Sequence, residues 1–272
     1  MSFPIAVQLY SVRDDADKNL YETLRQIKDM GYDGVEFAGL YNNKPEEIKK
    51  MCDDLGLCPV SAHVPYYDMV ADCKSVLSDY AKIGCKFVAI PYLTPECRPG
   101  TDGFADVVKN AAIIGATAKE LGMQLLYHNH DFEFDKIGDK YALDVLYETV
   151  PADLLKTELD TCWVKVGGEN PSDYIIKYAN RSPVVHLKDY VGGKSDNMYE
   201  LIGIESEKKQ ADTQAFEFRP VGSGCQDFVS ILEASKKAGA KWVVVEQDQP
   251  SMGLTPIESI KKSINYLKTI NK

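Results

Sequence analysis

An α/β fold, the (β/α)8 TIM barrel, is what this sequence predicts, and three observations carry the expectation. Eight short apolar runs alternate with amphipathic helical patterns along the 272 residues, a rhythm of βα units that yields a parallel sheet. A glycine closes the helical stretch before five of those runs, at Gly31, Gly56, Gly84, Gly122 and Gly239. Glycine suits the left-handed position that ends a helix, and a short connection into a strand follows. Nearly every run also ends in a polar or aromatic side chain, and all four histidines lie at such ends, as at the catalytic mouth of a barrel.

Taken in order, the first strand, Ile5 to Tyr10, brings Gln8 and Tyr10 to its end. The helix Leu20 to Met30 follows, apolar at 20, 24, 27 and 30, a period of about 3.6. The second strand, Gly34 to Phe37, contains Glu36, and the third, Pro59 to His63, ends in His63. The fourth, Phe87 to Ile90, hands over to Tyr92. The fifth, Gln124 to His128, opens the stretch LLYHNHDFEF, in which His128, His130, Asp131 and Glu133 crowd the end of an apolar run. Such crowding is costly in a core but serves a cavity at a strand end. The sixth strand, Leu155 to Leu159, passes through Glu158 to Asp160; the seventh, Val184 to His186, leads to Lys188; the eighth, Trp242 to Val245, leads to Glu246, Gln247 and Asp248. A last helix, Ile257 to Ile270, is apolar at 257, 260, 264, 267 and 270. The polar stretch Tyr190 to Cys225 reads as a long loop over the strand-end face, where functional loops collect. Eight such units suit a barrel of about 250 residues. No GxGxxG turn follows the first strand, which sets aside a dinucleotide-binding sheet. No linker divides the chain, so it reads as one domain over 1–272.

Composition narrows the partners. A formal net charge of -10 without a Lys/Arg stripe disfavours nucleic acid. The seven cysteines are odd in number and scattered without CxxC pairs, which points to reduced thiols in a cytoplasm rather than a disulfide framework. No run approaches the roughly 18 apolar residues of a membrane span. The expected partner is a small carbohydrate; a homo-oligomer is left open.

Asp160, His186 and Glu246 end three successive strands, and successive βα units are neighbours in space. Two carboxylates and an imidazole converging there suit a divalent metal ion, Mn, Mg, Zn or Co.

Five motifs, YHNHDFEF, ELDTCWV, VVHLKDY, PVGSGCQDF and VVVEQD, with LYSVR near the start, resemble the xylose-isomerase-like TIM-barrel superfamily over nearly the whole chain. That superfamily holds sugar and sugar-phosphate isomerases and epimerases, inosose and 3-dehydroshikimate dehydratases, 3-keto-glycoside lyases and the apurinic endonuclease branch. The resemblance implies that Asp160, His186 and Glu246 are three of four metal ligands. The family's fourth ligand is usually a glutamate six residues after the glycine before the fifth strand. Here that position is His128. Either His128 or Glu158, two residues before Asp160 and on the same strand face, completes the set. The family's D-x-x-H pattern reads Asp160-Thr161-Cys162-Trp163, and Pro91-Tyr92 stands where the endonuclease has a histidine, so DNA repair is not expected.

The implied chemistry is abstraction of a proton next to a sugar carbonyl, through an enediolate held by the metal. Glu246 is the expected base, Lys188 an oxyanion partner or leaving-group acid unless it merely pairs with Asp189 or Glu205, and Glu158 a second catalytic carboxylate. His63, His130, Glu133 and Glu36 are candidates for hydroxyl recognition; Tyr10, Phe37, Tyr92 and Trp163 offer flat faces to a sugar ring. An isomerase or epimerase is the first expectation and a lyase or dehydratase on a keto-sugar, keto-inositol or 3-keto-glycoside the second. A sugar-binding subunit without turnover is the third.

Overall fold

The computed structural model describes residues 2–195, 198 and 216–272. Eight parallel strands, Ile5–Gln8, Gly34–Ala38, Cys58–His63, Phe87–Ile90, Gln124–His128, Leu155–Asp160, Val184–Leu187 and Trp242–Val245, close into a barrel with helices between them. The fold is therefore the expected (β/α)8 TIM barrel. The first strand pairs with the eighth, Val7 opposite Val245, and with the second, Gln8 opposite Glu36.

Strand limits fall within one or two residues of those read from the sequence. The largest difference is at Tyr10, which the alternation places on the first strand. The strand ends at Gln8, whose side chain accepts from Tyr10 N at 3.0 Å and folds Leu9–Val12 into a 3-10 turn. A residue that hydrogen-bonds its own backbone two positions on competes with the ladder.

The helices end as the glycines indicate: Gly31 closes Leu20–Met30 at φ 92, and Gly84 closes Tyr66–Ile83 at φ 103. Both angles are in the left-handed region, where a Cβ would be strained. The last helix, Pro256–Ile270, starts on a capping box between Thr255 and Glu258 and buries Ile260, Ile264 and Leu267.

Inside the barrel, Ala6, Val60, Ala89, Leu126, Val184 and Val244 form a closed apolar cluster. Two residues further on, and so on the same strand faces, come Gln8 from Ala6, His128 from Leu126, His186 from Val184 and Glu246 from Val244. That layer of polar side chains is the floor of the site.

The stretch Tyr190 to Cys225 is not all loop. Asp189–Val191 pairs antiparallel with Glu217–Arg219, Tyr190 opposite Phe218. The Asp189 carboxylate accepts from the backbone N–H groups of Gly222, Gly224 and Gln226, which accounts for the glycines of PVGSGCQDF: a Cβ on Gly224 would lie 2.3 Å from Asp189 Oδ1. Residues 196–197 and 199–215, Glu205 among them, lie outside the described residues. Among those described, no helix is long and apolar enough to cross a membrane.

Candidate metal and substrate site

A cavity of about 480 Å³ opens at the C-terminal ends of the strands, a size suited to a small ligand. Tyr10, His63, Tyr92, His128, His130, Lys188, Glu246 and Asp248 line it, with Val64, Pro65, Val76 and Tyr80 as an apolar wall. It has one charged side and one greasy side.

On the charged side His128, Asp160, His186 and Glu246 each offer one donor atom, all within 4.8 Å of one another. Register aligns them, since Asp160 sits opposite His186 and His186 opposite Val244, two residues before Glu246. Local bonds aim them. Asp160 caps the helix Thr161–Val166 with Oδ1, accepting from Cys162 N at 2.8 Å and Trp163 N at 3.0 Å, which turns Oδ2 toward the cluster. Asn129 accepts from Asp160 N at 3.0 Å, and Thr161 donates to the carbonyl of His186 at 2.9 Å.

These residues fit a divalent cation. His128 Nε2 lies 3.4 Å from Asp160 Oδ2 and 3.5 Å from Glu246 Oε2, yet neither His128 nitrogen nor Asp160 Oδ2 has a hydrogen-bond partner. A buried polar atom left so costs about 1–3 kcal/mol. Coordination relieves it at each donor, and two imidazoles with two carboxylates are a zinc, manganese or cobalt donor set.

A second quartet adjoins the first: Glu36, His63, Glu158 and His186, again with donors within 4.8 Å. His63 Nε2 meets Glu158 Oε2 at 2.7 Å, and Gln8 donates to Glu36 Oε1 at 2.7 Å. Of the two candidates for the fourth ligand, the structure groups His128 with Asp160, His186 and Glu246, and Glu158 with Glu36 and His63.

Lys188, 1% exposed, is the cation of this interior. Its ammonium lies 2.8 Å from Glu246 Oε2, 2.8 Å from Asp248 Oδ2 and 3.5 Å from Asp160 Oδ2, and 5.5 Å over the Trp163 ring. Pairing with Asp189 is thereby corrected: that carboxylate is taken by backbone N–H groups. Burial disfavours the ammonium, but Asp248, Glu246 and Asp160 outweigh it and hold its pKa well above the usual range. Burial likewise opposes ionised Glu246, and Lys188, His128 and His186 overcome it, holding that carboxyl well below the usual range. Burial pushes Asp248 up to about 6 against the pull of Lys188. Although burial opposes ionisation of all three carboxylates, we assign Lys188 its charge, because Asp160, Glu246 and Asp248 face one ammonium. Burial and then Glu36 raise Glu158 well above its ordinary value.

The other expected residues divide. His130 and Tyr10 line the cavity. Glu133 does not: its carboxylate accepts from Tyr127 Oη at 2.5 Å and from His130 N at 2.8 Å, outside the cavity lining. Trp163 and Phe37 are fully buried. Trp163 packs 5.2 Å from the His130 ring and 5.8 Å from Phe216, and Phe37 belongs to the main core. Both support the site from outside the cavity rather than offering it a face. Lys194 pairs with Asp131 at 2.7 Å. Two arginines near the site lie outside the residues the sequence singles out. Arg13 donates to the carbonyls of Tyr10 and Asp248, 2.8 Å each, with its guanidinium 4.2 Å over the Tyr10 ring; its position three residues after Tyr10 was the available signal. Arg98 lies 4.4 Å over Phe132, and nothing local in its proline-flanked segment marks it.

A closed parallel barrel with a histidine–carboxylate cluster at its mouth that could hold a cation has the architecture of a barrel enzyme. The chain belongs to the xylose isomerase-like TIM barrel family, whose model matches residues 24–270. The inosose dehydratase of Clostridium beijerinckii is 30% identical over 163 residues, 57% of this chain and 50% of that protein, so the match spans about half of that relative's length. The inosose dehydratase of Clostridium tetani is 29% identical over 262 residues, 93% of this chain and 80% of that one. Among solved structures, a sugar phosphate isomerase/epimerase from Parabacteroides distasonis superposes with a TM-score of 0.78 at 23% identity, over 98% of this chain and 99% of that one, a likeness of fold.

Proposed function

We propose that the protein is a metal-dependent lyase that dehydrates a small cyclic keto-polyol, an inosose or a related keto-sugar. The observation that carries the reading is the contact of 2.8 Å between Lys188 and Glu246, both lining the cavity: a proton donor beside a base, which β-elimination needs. His128, Asp160, His186 and Glu246 would hold the ion, which supplies a positive charge to the substrate carbonyl oxygen and so acidifies the neighbouring C–H. Glu246 takes that proton. The C–H electron pair becomes the new C=C bond, and the hydroxyl on the next carbon leaves as water with a proton from Lys188. Asp248 and Asp160 keep Lys188 protonated until that moment, and Trp163 beneath it excludes water from the leaving-group side. His63, His130 and Tyr10 line the cavity and would hold ring hydroxyls, while the apolar wall would exclude bulk solvent. Lys188, the cation lining the cavity, is already shared among carboxylates, which favours an unphosphorylated substrate.

An isomerase or epimerase is the second reading, favoured by Glu158, a further carboxylate close to His186 that could return the proton. Against it stands His128, a histidine where the two-carboxylate epimerases have a glutamate.

The test is incubation of the metal-loaded protein in heavy water with an inosose, free ketoses and 3-keto-glycosides, followed by mass spectrometry. Loss of one water from an inosose or keto-sugar, stopped by chelation, supports the lyase. A product of unchanged mass carrying deuterium next to the carbonyl selects the second reading. Turnover with neither water loss, exchange nor an isotope effect from C-deuterated substrate overturns both.

A further inference from the structure

We propose that Arg13, helped by Ser11, is a positioning residue for the elimination: the pair fastens residues 247 and 248 to the turn after the first strand and so holds Asp248, and through it the Lys188 ammonium, where the leaving group takes its proton. That role rests on the lyase reading, in which Lys188 is the acid. Ser11 and Arg13 are two residues of LYSVR to which the reading gives no other task.

The chain needs fastening there because the sheet has ended. The first and eighth strands pair as far as Val7 opposite Val245, and the eighth strand stops at Val245, one residue before Glu246. Glu246 N still donates to Leu187 O of the seventh strand, at 3.2 Å. On the side of the first strand, side chains take over from the ladder. Ser11 Oγ accepts from Gln247 N at 3.0 Å, and Arg13 donates to the carbonyl of Asp248 at 2.8 Å. The same Arg13 nitrogen donates to the carbonyl of Tyr10 at 2.8 Å, and the guanidinium lies 4.2 Å over the Tyr10 ring. One group therefore spans the seam where the barrel closes. Ser11 is buried and Arg13 half-buried, and a hydrogen bond from a charged donor is roughly twice as strong as a neutral one.

The place of Asp248 matters because the Lys188 ammonium is contested. It lies 2.8 Å from Asp248 Oδ2, 2.8 Å from Glu246 Oε2 and 3.5 Å from Asp160 Oδ2. Asp160 and Glu246 belong to the cation-holding quartet, whereas Asp248 stands outside it and beyond the strand. Were its main chain to move, the ammonium would close on the other two carboxylates and leave the side from which it protonates the leaving oxygen. Arg13 touches the Asp248 carbonyl and leaves the carboxylate to Lys188, so it can fix the position of that partner without competing for it. The competing account is a clasp that only closes the barrel seam, and the two differ in what they expect of the chemistry.

Arg13→Met removes the donor and keeps the stem. The metal-loaded variant, checked for folding by circular dichroism, should dehydrate the keto-polyol that the wild type accepts with kcat lower by on the order of 10²-fold, the cost of about 1 Å of misplacement at a reacting centre. The same keto-polyol with fluorine in place of the departing hydroxyl releases fluoride with the C–F electron pair and needs no acid, so on it most of the loss should vanish. A crystal structure of the variant should show Lys188 Nζ drawn out of hydrogen-bond reach of Asp248 Oδ2. Ser11→Ala, which takes the acceptor from Gln247 N, should move both readouts the same way by less, and it carries the test if Arg13→Met does not fold. Equal losses on the two substrates with the contact between Lys188 and Asp248 intact would leave Arg13 a clasp and overturn the proposal, as would unchanged kcat. If the wild type removes neither water nor fluoride from keto-polyols, the lyase reading falls instead, and the crystal structure alone then decides whether Arg13 holds Asp248 beside Lys188.

Discussion

The two layers of the barrel interior share five strands, the first, third, fifth, seventh and eighth, and differ in chemistry. Below, Ala6, Val60, Ala89, Leu126, Val184 and Val244 pack into a sealed apolar plug; above, Gln8, Glu36, His63, His128, Glu158, Asp160, His186 and Glu246 gather charge and imidazole at nearly the same depth of burial. On the fifth, seventh and eighth strands the change takes two residues, Leu126 to His128, Val184 to His186 and Val244 to Glu246. The plug keeps water from beneath, so the upper layer has to satisfy its charges from within or from bound cations and substrate. Stability should therefore live in the lower layer and chemistry in the upper.

The largest effect expected is on turnover. Glu246→Gln keeps the shape but removes the base and a negative ligand, so kcat should fall about 10³-fold with little change in melting temperature. Steady-state kinetics beside a thermal melt measure both, and unaltered kcat would take Glu246 out of the mechanism.

Leu126→Ala tests the converse. Leu126 is fully buried in the plug, and its truncation should cost about 2–5 kcal/mol of stability. Metal stoichiometry should stay as in the wild type. If denaturant unfolding shows the loss and the ions leave as well, the two layers are not separable.

How far the layers can be read from the sequence follows the same division. Strand and helix positions were legible because burial imposes periods of two and about 3.6, and because glycines such as Gly31 mark the turns between them. The charged layer was legible where a residue directly ends a strand, as Asp160, His186 and Glu246 do. Beyond the strand end the chain turns, and alternation no longer says where a side chain points. Alternation offers Glu133 and Trp163 as substrate contacts for that reason, and they sit outside the cavity lining. For Lys188 the sequence offers Asp189 or Glu205 as salt-bridge partners beside a catalytic role, whereas its partners among the described residues come from the sixth and eighth units, which only closure of the barrel brings together. Glu36 and Glu158 belong to one cluster because strands two and six face each other across the barrel, a relation no local pattern carries.

A smaller effect sharpens the contrast between buried carboxylates that have cations and one that has none. Glu246 and Glu133 are both buried, but Lys188 and two imidazoles hold Glu246 ionised, whereas around Glu133 burial dominates and raises the carboxyl from 4.5 to about 7 despite hydrogen bonds from Tyr127 and the His130 N–H. An acid whose folded pKa is raised favours the native state while it is protonated. Its contribution is fully present below about pH 4.5, where both states hold the proton, falls as pH rises because the unfolded chain releases the proton first, and is gone above about 7. The span corresponds to about 3 kcal/mol. Glu133→Gln fixes the neutral form, with the amide oxygen accepting from His130 N and the amide nitrogen donating to Tyr127 Oη. Denaturant midpoints at pH 5 and pH 8 should then differ less in the variant than in the wild type, by an amount approaching that figure, with the variant gaining at pH 8. Equal pH dependence in the two proteins would mean that Glu133 is ionised throughout, and that burial alone does not separate it from the carboxylates of the site.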